Sequence, residues 1–281
     1  MVAGKTLMIS GFKIDGGKKI MDYDAKKELG QHWLNDPDVL AYIVDLAELK
    51  KKDLVLEIGP GKGSLTNYLA PKVAKVIAVE IDPQLMKGLK EKVKSNVEII
   101  NQDIRYFNFD SLPENYKVIA NIPYYLTSFL IRLLSEANNS PERCVLMVQK
   151  EVAERISEGP GKMSILSITA QVYWRVSLGA VVPAKLFNPP PKTDSMLIRF
   201  DRLSQPLVPD DLRKEFFRTL RIGFSQKRKQ LVNSIASGYR VERNVAEEFL
   251  KSSGISPTQR PQQLSIDQWL KLTENIVKKT Q

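Results

Sequence analysis

The chain has 281 residues, of which 43% are hydrophobic and 26% are charged, fractions that argue against both a membrane protein and a disordered one. Its formal net charge of +10 favours a polyanionic partner such as nucleic acid. At roughly 150 residues per domain, the length predicts two domains of unequal size.

The N-terminal region carries no sign of export. The first 30 residues lack the apolar segment of a secretory signal, and the first arginine is Arg105, whereas mitochondrial transit peptides are rich in arginine. We therefore expect a cytoplasmic protein with no membrane partner. Residues 1–24 are predicted to be a flexible lead-in, with basic side chains at Lys5, Lys13, Lys18 and Lys19.

Metal and triad chemistries are disfavoured by composition. One cysteine and one histidine, Cys144 and His32, are too few for the three or four ligands of a zinc site, so no metal is expected. A Ser-His-Asp triad would depend entirely on His32. Cys144 lies in the apolar run 144–148 and is expected to be a buried strand thiol.

From about residue 36 to 200, strand-like apolar runs alternate with helical patterns. This order predicts a parallel sheet with helices on both faces. Three prolines at 189–191 are expected to hold the connection between the last two strands extended. The predicted strands are 54–58, 76–80, 97–100, 118–120, 145–148, 172–182 and 195–200.

The last part of the chain has a different pattern. Residues 205–211 form a predicted linker that ends in Pro209, Asp210 and Asp211, with an acid placed to cap a helix. Helical spacing of apolar residues follows, so we predict an α/β domain over residues 25–204 and a helical domain over 205–281. Residues 202–281 hold 15 basic and 8 acidic side chains, so most of the excess positive charge lies there.

A glycine-rich loop follows the first predicted strand of the α/β domain. Gly59, Gly61 and Gly63 have the spacing G-x-G-x-G, and the absence of Cβ atoms lets a ligand approach the backbone. NAD sites have G-x-G-x-x-G instead, so a methionine-derived nucleoside cofactor fits better. The alternative is an ordinary glycine-rich turn between a strand and a helix.

One acid ends the second predicted strand, and another follows the third. Glu80 lies 21 residues after Gly59, close to the distance at which an acid meets ribose hydroxyls in nucleotide-binding folds. Asp103 is expected at the same sheet edge, where it would accept from the amino group of an adenine. Taken alone, each would be an ordinary acid at a strand end or a turn.

Residues 121–124, Asn-Ile-Pro-Tyr, follow the fourth predicted strand. An amide that accepts from an exocyclic amino group, a proline that keeps Ile122 extended and an aromatic ring for stacking suit a turn that holds a nucleobase. An Asn-initiated turn with a core tyrosine is the alternative. The preceding motifs, in the expected strand order, favour the base-holding turn.

With these motifs the chain resembles the ribosomal RNA adenine N6-dimethyltransferases, the family of bacterial KsgA, with the erythromycin-resistance methyltransferases as more distant relatives. The resemblance begins at residues 27–36, runs through the motifs above and includes residues 187–195. It implies a Rossmann-like class I methyltransferase sheet with a smaller all-helical C-terminal domain.

The resemblance also implies a set of site residues. Asn121, Tyr124 and Phe187 are the implied catalytic residues, with Phe187 stacking on the target adenine opposite Tyr124. His32 and Trp33 stand where the family often has Asn and Phe, which leaves the polar contact of His32 open. The S-adenosyl-L-methionine site is implied to comprise Gln31, His32, Leu34, Gly59, Gly61, Glu80, Ile81, Asp103, Ile104 and Asn121.

The implied reaction is dimethylation of adjacent adenosines in small-subunit ribosomal RNA, within an immature 30S particle, by a monomeric enzyme. The target base must be unstacked, which favours an accessible adenine over one in a duplex. A basic cluster on the first helix of the helical domain is expected to contact RNA phosphates without reading sequence. Its residues are Arg221, Lys227, Arg228 and Lys229.

Three alternatives remain open from the sequence. One is methylation of large-subunit ribosomal RNA giving macrolide resistance, which the motif at Phe187 and the basic helical domain disfavour. Another is a non-catalytic nucleic-acid-binding relative, which the intact 121–124 motif disfavours. A third is an NAD oxidoreductase, which the glycine spacing disfavours.

Overall fold

The computed structural model describes residues 25–26, 29–91, 93–226 and 228–280. The predicted lead-in over 1–24 and the predicted phosphate contact of Lys227 lie outside these residues. The chain divides into two compact units. The first comprises residues up to 130 together with 137–150 and 178–199, and the second comprises 131–136, 151–177 and 200–281. The predicted domain boundary at residue 205 stays a prediction.

Every strand predicted from the sequence is present, most with slightly longer bounds. The predicted strand 172–182 begins at Trp174, because the preceding helix continues through Tyr173. The strands are β1 Trp33–Leu34, β2 Leu54–Ile58, β3 Lys75–Glu80, β4 Val97–Asn101, β5 Lys117–Asn121, β6 Arg143–Gln149, β7 Trp174–Val182, β8 Phe187–Asn188 and β9 Ser195–Arg202.

Helices connect the strands and make up most of the C-terminal part. They are α1 Pro37–Leu46, α2 Ser64–Leu69, α3 Pro83–Lys90, α4 Thr127–Glu136, α5 Lys150–Ser157, α6 Ile165–Tyr173, α7 Asp210–Gly223, α8 Leu231–Tyr239, α9 Arg243–Ser252 and α10 Ile266–Thr280. Among the described residues, we find no helix with the length and apolar character needed to cross a membrane.

The main sheet has the strand order β4-β3-β2-β5-β6-β9-β7. Strands β4, β3, β2, β5 and β6 pair in parallel, which confirms the predicted parallel arrangement for these five strands, whereas the seven-stranded sheet as a whole is mixed. From β2 the chain moves outward to β3 and β4 and then returns to β5 on the other side of β2. In such sheets ligands bind outside the carboxyl ends of the strands at this reversal, so a site is expected between β2 and β5.

Burial explains why these strands are continuous apolar runs. Val55, Leu56 and Val76 are fully buried, as expected for parallel strands covered by helices on both faces. Cys144 in β6 is 2% exposed, which confirms the expected buried thiol. Helix α1 begins by local chemistry, because the Asp36 carboxylate accepts from the Val39 N–H at 3.0 Å and Pro37 follows the cap.

In the second unit, α7 begins at Asp210 with Pro209 at the cap position. Asp210 and Asp211 therefore lie in the first turn, where their negative charges interact favourably with the helix dipole. The prediction that one of them caps the helix was wrong. The prediction that the whole basic cluster lies on this helix was also wrong. Helix α7 ends at Gly223, and a short 3-10 turn, Phe224–Gln226, follows it, in which Phe224 is buried and stacks on Trp269 with ring centroids 5.7 Å apart.

Candidate cofactor and target-base site

A cavity opens at the carboxyl edge of the sheet, at the predicted reversal of strand order. It is formed within the first unit by the segment around β1 and by the loops after β2, β3, β4 and β5. The structure brings most of the predicted site residues to its wall. They are Gln31, His32, Leu34, Gly59, Gly61, Glu80, Ile81, Asp103, Ile104, Asn121 and Tyr124.

The glycine loop after β2 is shaped by backbone conformations that other residues rarely adopt. Gly59, Gly61 and Gly63 have φ values of 69°, 58° and 83°. A Cβ on Gly63 would lie 2.3 Å from Leu89 Cδ1, and one on Gly61 would lie 3.2 Å from the Trp33 ring. The loop therefore requires glycine both for its conformation and for close packing against its neighbours.

Glu80, at the end of β3, is 4% exposed. One carboxylate oxygen accepts from the Gly61 N–H at 3.0 Å and the other from the Asp82 N–H at 2.9 Å. Burial raises the pKa of Glu80, and these backbone hydrogen bonds act against that rise. Each oxygen keeps a further lone pair that a ribose hydroxyl can use. The same carboxylate thus fastens the glycine loop to the end of β3.

Glu57 on β2 is a second buried acid at the cavity wall, to which the sequence assigned no role. Its side chain is 1% exposed, and among the described residues neither carboxylate oxygen has a hydrogen bond of good geometry. Burial raises the pKa of Glu57 to about 8; the neighbouring Thr66 hydroxyl acts against the rise, and the charge of Glu80 adds to it. In this state Glu57 is neutral at pH 7.

Asp103 follows β4 and is held by Arg105. The guanidinium donates to one carboxylate oxygen from Nε at 2.8 Å, and the other oxygen accepts from the Arg105 backbone N–H at 2.9 Å. These hydrogen bonds hold the pKa of Asp103 below its ordinary value, so the carboxylate stays charged. A charged acceptor with spare lone pairs suits the amino group of a cofactor adenine.

Asp82 organises the segment that closes the cavity near β1. The Lys26 ammonium lies 3.0 Å from its carboxylate, and the Gln31 side-chain amide donates to it at 3.4 Å. This residue was not predicted from the sequence. Asp82 followed by Pro83 signals a helix N-cap, but its partners are 51 and more positions earlier in the chain, and no local pattern predicts them.

The orientation of Asn121 follows from its hydrogen bond. The side-chain nitrogen donates to the backbone carbonyl of His32 at 3.1 Å. Because a carbonyl only accepts, the group facing it must be the NH2, and Oδ1 is left as an acceptor. His32 is held in turn, since its Nδ1 lies 2.7 Å from the carbonyl of Pro189 and must carry the proton there.

Tyr124 contributes an aromatic face to the same end of the cavity. Its hydroxyl lies 2.8 Å from the Ser195 hydroxyl, and its ring is stacked with that of His32 at a centroid distance of 6.1 Å and an interplanar angle of 21°. Burial raises the pKa of Tyr124, with the hydrogen bond to Ser195 acting against the rise. The ring is therefore a neutral phenol fixed at both ends.

Phe187 is the predicted site residue that the structure does not bring to the cavity wall. Its side chain is 4% exposed in β8, opposite Leu34 of β1, and packs in the core with Leu40 and Leu197. Burial of this apolar ring stabilises the folded chain. Stacking of Phe187 on a target base stays a prediction, and it requires the ring to leave the core.

The predicted phosphate-binding residues lie in the second unit. Arg221 is exposed on α7, and Arg228 and Lys229 are exposed in the turn before α8. Two other basic residues of this unit, Arg243 and Lys251, both lie within ion-pair distance of Glu247. No carboxylate lies within ion-pair distance of Arg221, Arg228 or Lys229 among the residues described.

Comparison with known proteins identifies the family. The family described as "Ribosomal RNA adenine dimethylase" matches residues 23–278, which is most of the chain. This chain belongs to that family. The match confirms the resemblance found in the sequence motifs, and the cofactor of the adenine dimethylases is S-adenosyl-L-methionine.

Curated adenine dimethylase relatives match along almost the whole length. The protein named "Ribosomal RNA small subunit methyltransferase A" of Dehalococcoides mccartyi is 39% identical over 257 residues, which cover 88% of this chain and 87% of the relative. Its namesake of Alkaliphilus oremlandii is 37% identical over 269 residues, which cover 92% of this chain and 94% of the relative.

Solved structures match the fold. A dimethyladenosine transferase from Plasmodium falciparum has a TM-score of 0.75 at 28% identity, covering 89% of this chain and 98% of its own. The 23S rRNA methyltransferase ErmE has a TM-score of 0.71 at 28% identity, covering 87% of this chain and 99% of its own. These likenesses confirm the predicted Rossmann-like methyltransferase sheet with a helical C-terminal region.

The residues present fit the cofactor of an adenine dimethylase. A buried acid with spare lone pairs at Glu80 suits ribose hydroxyls, and a charged acid at Asp103 suits an adenine amino group. A Cβ on Gly59 would meet only the Asn121 backbone oxygen, at 3.9 Å, so this glycine leaves space for a ligand, and the unsatisfied carboxyl of Glu57 offers an acceptor for the ammonium group of the amino-acid part. The cavity therefore offers suitable groups to the adenine, the ribose and the ammonium group of S-adenosyl-L-methionine.

Proposed function

We propose that this adenine dimethylase transfers methyl groups from S-adenosyl-L-methionine to the exocyclic N6 of adjacent adenosines in small-subunit ribosomal RNA, and places two methyl groups on each. The observation that carries the proposal is the orientation of Asn121. Its NH2 is held by the His32 carbonyl, so its Oδ1 is available to the amino group of a base that enters the cavity beside Tyr124. The names of the curated relatives from Dehalococcoides mccartyi and Alkaliphilus oremlandii support the small subunit as the substrate.

The residues act mainly by positioning. Adenine N6 is a poor nucleophile because its lone pair is delocalised into the ring. Asn121 Oδ1 and the backbone carbonyl of Ile122 accept its two N–H bonds, which favours a pyramidal nitrogen with an available lone pair. When bound, S-adenosyl-L-methionine supplies an electrophilic methyl group. Holding the reacting atoms about 3–3.5 Å apart in line requires no dedicated general base.

Tyr124 stacks on the inserted base, and the hydrogen bond to Ser195 and the stack with His32 keep its ring in place. Stacking on an aromatic ring contributes about 1–3 kcal/mol per base and tolerates any sequence. The first transfer replaces one hydrogen of N6, which leaves as a proton to solvent, so the nitrogen keeps one N–H and only one acceptor is needed while the base turns for the second transfer.

The finer features of the substrate and the enzyme belong to the same proposal. The substrate is an immature 30S particle, and the enzyme acts in the cytoplasm as a monomer. Residues 205–281 form its RNA-binding domain, with Arg221, Arg228 and Lys229 among the phosphate contacts. Their exposure and lack of described acidic partners support this role.

The test is transfer of labelled methyl groups to immature small subunits and, in parallel, to large subunits, followed by nucleoside analysis. We expect N6,N6-dimethyladenosine in small-subunit RNA alone. Product in large-subunit RNA would assign the chain to the resistance enzymes, and RNA binding without transfer would make it a non-catalytic relative. Asn121→Ala should abolish transfer while RNA binding is retained, and wild-type turnover of this variant would contradict the role of the amide.

A further inference from the structure

The order of the strands sets the order of binding groups along the cavity. Asp103, Glu80, the glycine loop and Asn121 follow β4, β3, β2 and β5, which are neighbours in that order. If the cofactor binds as in the proposed function, its adenine lies at Asp103, its ribose at Glu80 and its methyl group near Asn121. The amino-acid part then lies over the glycine loop after β2.

That part of the cofactor carries a carboxylate, which the acids Asp103, Glu80 and Glu57 do not suit as partners because the partner of a carboxylate must be a cation or a hydrogen-bond donor. Among the described residues that line the cavity, the arginine and lysine side chains are Arg105 and Lys62. Arg105 is at the adenine end and is already bound to Asp103 through Nε at 2.8 Å and Nη2 at 2.5 Å. Lys62 belongs to the glycine loop itself, at the amino-acid end.

Lys62 is held by an aromatic ring at this position. Its Nζ lies 3.7 Å from the centroid of the Trp33 ring, well within the range of a cation–π interaction. No carboxylate of the described residues lies within ion-pair distance of it. The indole contacts the ammonium group on one side but does not neutralise its charge. The Lys62 ammonium therefore still attracts an anion.

Trp33 is itself fixed. It pairs with Asn188 in the β1–β8 ribbon, and the backbone of Gly61 approaches its ring so closely that a Cβ there would lie 3.2 Å away. Trp33 thus holds the Lys62 side chain in place through the contact of its ring with Nζ. The indole offers a larger face than a phenyl ring and is the aromatic group that binds cations best.

We propose that Lys62, positioned by Trp33, binds the carboxylate of the amino-acid part of the cofactor. Lys62 is a cofactor-binding residue and Trp33 a positioning residue. The proposal rests on the proposed function, because the order of cofactor groups along the cavity comes from it. A hydrogen bond to a charged group contributes about 1.5–3 kcal/mol, so its loss should weaken binding about 10- to 100-fold.

The experiment compares two ligands by calorimetry on the full chain without RNA. S-adenosylhomocysteine carries the carboxylate, and its decarboxylated analogue keeps every other group. Lys62→Met should raise the Kd for S-adenosylhomocysteine at least about tenfold and change that for the analogue less than about twofold. Lys62→Arg, which keeps the charge, should restore most of the affinity, and Lys72→Met, an exposed lysine outside the cavity, should change neither Kd.

Trp33 is tested in the same way. Trp33→Leu should give the same selective loss for S-adenosylhomocysteine as Lys62→Met, and combining the two should add little, because both remove one interaction. Trp33→Phe should retain part of the selectivity. Thermal unfolding of each variant identifies those that fail to fold.

The outcomes separate this inference from the proposed function. Equal weakening of both ligands by Lys62→Met would show a general effect on the loop and overturn the inference, as would unchanged affinity for both. Unchanged ligand affinity with weakened RNA binding would assign Lys62 to the RNA instead. Failure of the wild-type chain to bind either ligand would overturn the cofactor assignment on which the proposed function depends.

Discussion

Glu57 and Glu80 show how residues of one type acquire different properties at one sheet edge. Glu80 accepts two backbone N–H groups, whereas the oxygens of Glu57 have no such donors among the described residues. A buried carboxylate without donors is strongly disfavoured, so the carboxyl takes up a proton instead. The difference lies in their tertiary neighbours, since both are acids on strands of the same sheet.

The neutral state of Glu57 predicts a pH dependence of stability. Below its ordinary pKa of 4.5, Glu57 is protonated in both the folded and unfolded chains. Between 4.5 and its folded pKa of about 8, the unfolded chain releases the proton while the folded chain keeps it. The free energy of unfolding therefore falls by up to about 1.4 kcal/mol per pH unit across this window and levels off above it.

Glu57→Gln removes this titration while keeping a neutral side chain of similar shape. We expect the variant to gain stability relative to wild type as the pH is raised from 5 to 8.5, measured by urea unfolding of the cofactor-free protein. Glu114→Gln, at an exposed position, serves as the control and should show no such trend. A constant difference between Glu57→Gln and wild type at all pH values would mean that Glu57 is ionised in the folded chain.

At the scale of elements, the helices of the second unit pack through small residues that admit a neighbouring side chain. Helix α7 ends at Gly223, where a Cβ would lie 2.3 Å from Cη2 of Trp269 on α10. Trp269 is fully buried, so it has little room to shift. The absence of a side chain at Gly223 therefore allows α7 and α10 to approach.

Gly223→Ala should destabilise the chain, although alanine is the better helix former by about 1 kcal/mol. Overpacking of a filled core costs roughly 1–3 kcal/mol, which outweighs the gain in propensity. Gly88→Ala in α3 is the matched control, because a Cβ there meets nothing within 4 Å and only the gain remains. Thermal unfolding should show a lower midpoint for Gly223→Ala and an equal or higher one for Gly88→Ala; a rise in both would contradict the packing argument.

At the scale of the whole molecule, the predicted phosphate-binding residues and the cofactor cavity belong to different units. The cavity and its binding groups belong to the first unit, whereas the predicted phosphate contacts belong to the second. Substitutions of the phosphate contacts in the second unit should therefore weaken RNA binding and spare cofactor binding. This separation allows RNA binding to be tested independently of cofactor binding.

Replacing Arg228 and Lys229 together by Gln should weaken RNA binding and reduce its salt dependence. The slope of log K against log salt concentration is negative, and each lost phosphate contact makes it shallower by about 0.7 for single strands. Losing two contacts should therefore make it shallower by up to about 1.4. The affinity for S-adenosylhomocysteine should not change. Filter binding over a range of salt concentrations measures the slope.

The control for this experiment removes the same charge elsewhere in the unit. Arg243→Gln with Lys251→Gln also loses two positive charges, but both residues pair with Glu247 in the structure. Their loss should change the slope much less. An equal effect of the two double variants would show that overall charge, and not a phosphate-binding cluster, attracts the RNA.

The sequence by itself determined the features that depend on neighbours along the chain. The strands from β2 to β6, the glycine loop, the acids after β3 and β4 and the motif at Asn121 were all found from local patterns, because strand periodicity, turn conformation and helix caps are short-range effects. Parallel strands then bring the residues that follow them to one edge, so the predicted cofactor residues gather at one cavity.

Only the tertiary structure decided the properties that arise between distant segments. The Asn121 amide is oriented by His32, 89 positions earlier, and Phe187 is buried by its pairing with Leu34. The protonation of Glu57, the end of α7 before Arg228 and the contact of Lys62 with Trp33 likewise depend on groups that folding brings together. Burial, pKa and hydrogen-bond direction are set by surroundings in space, which a one-dimensional pattern does not contain.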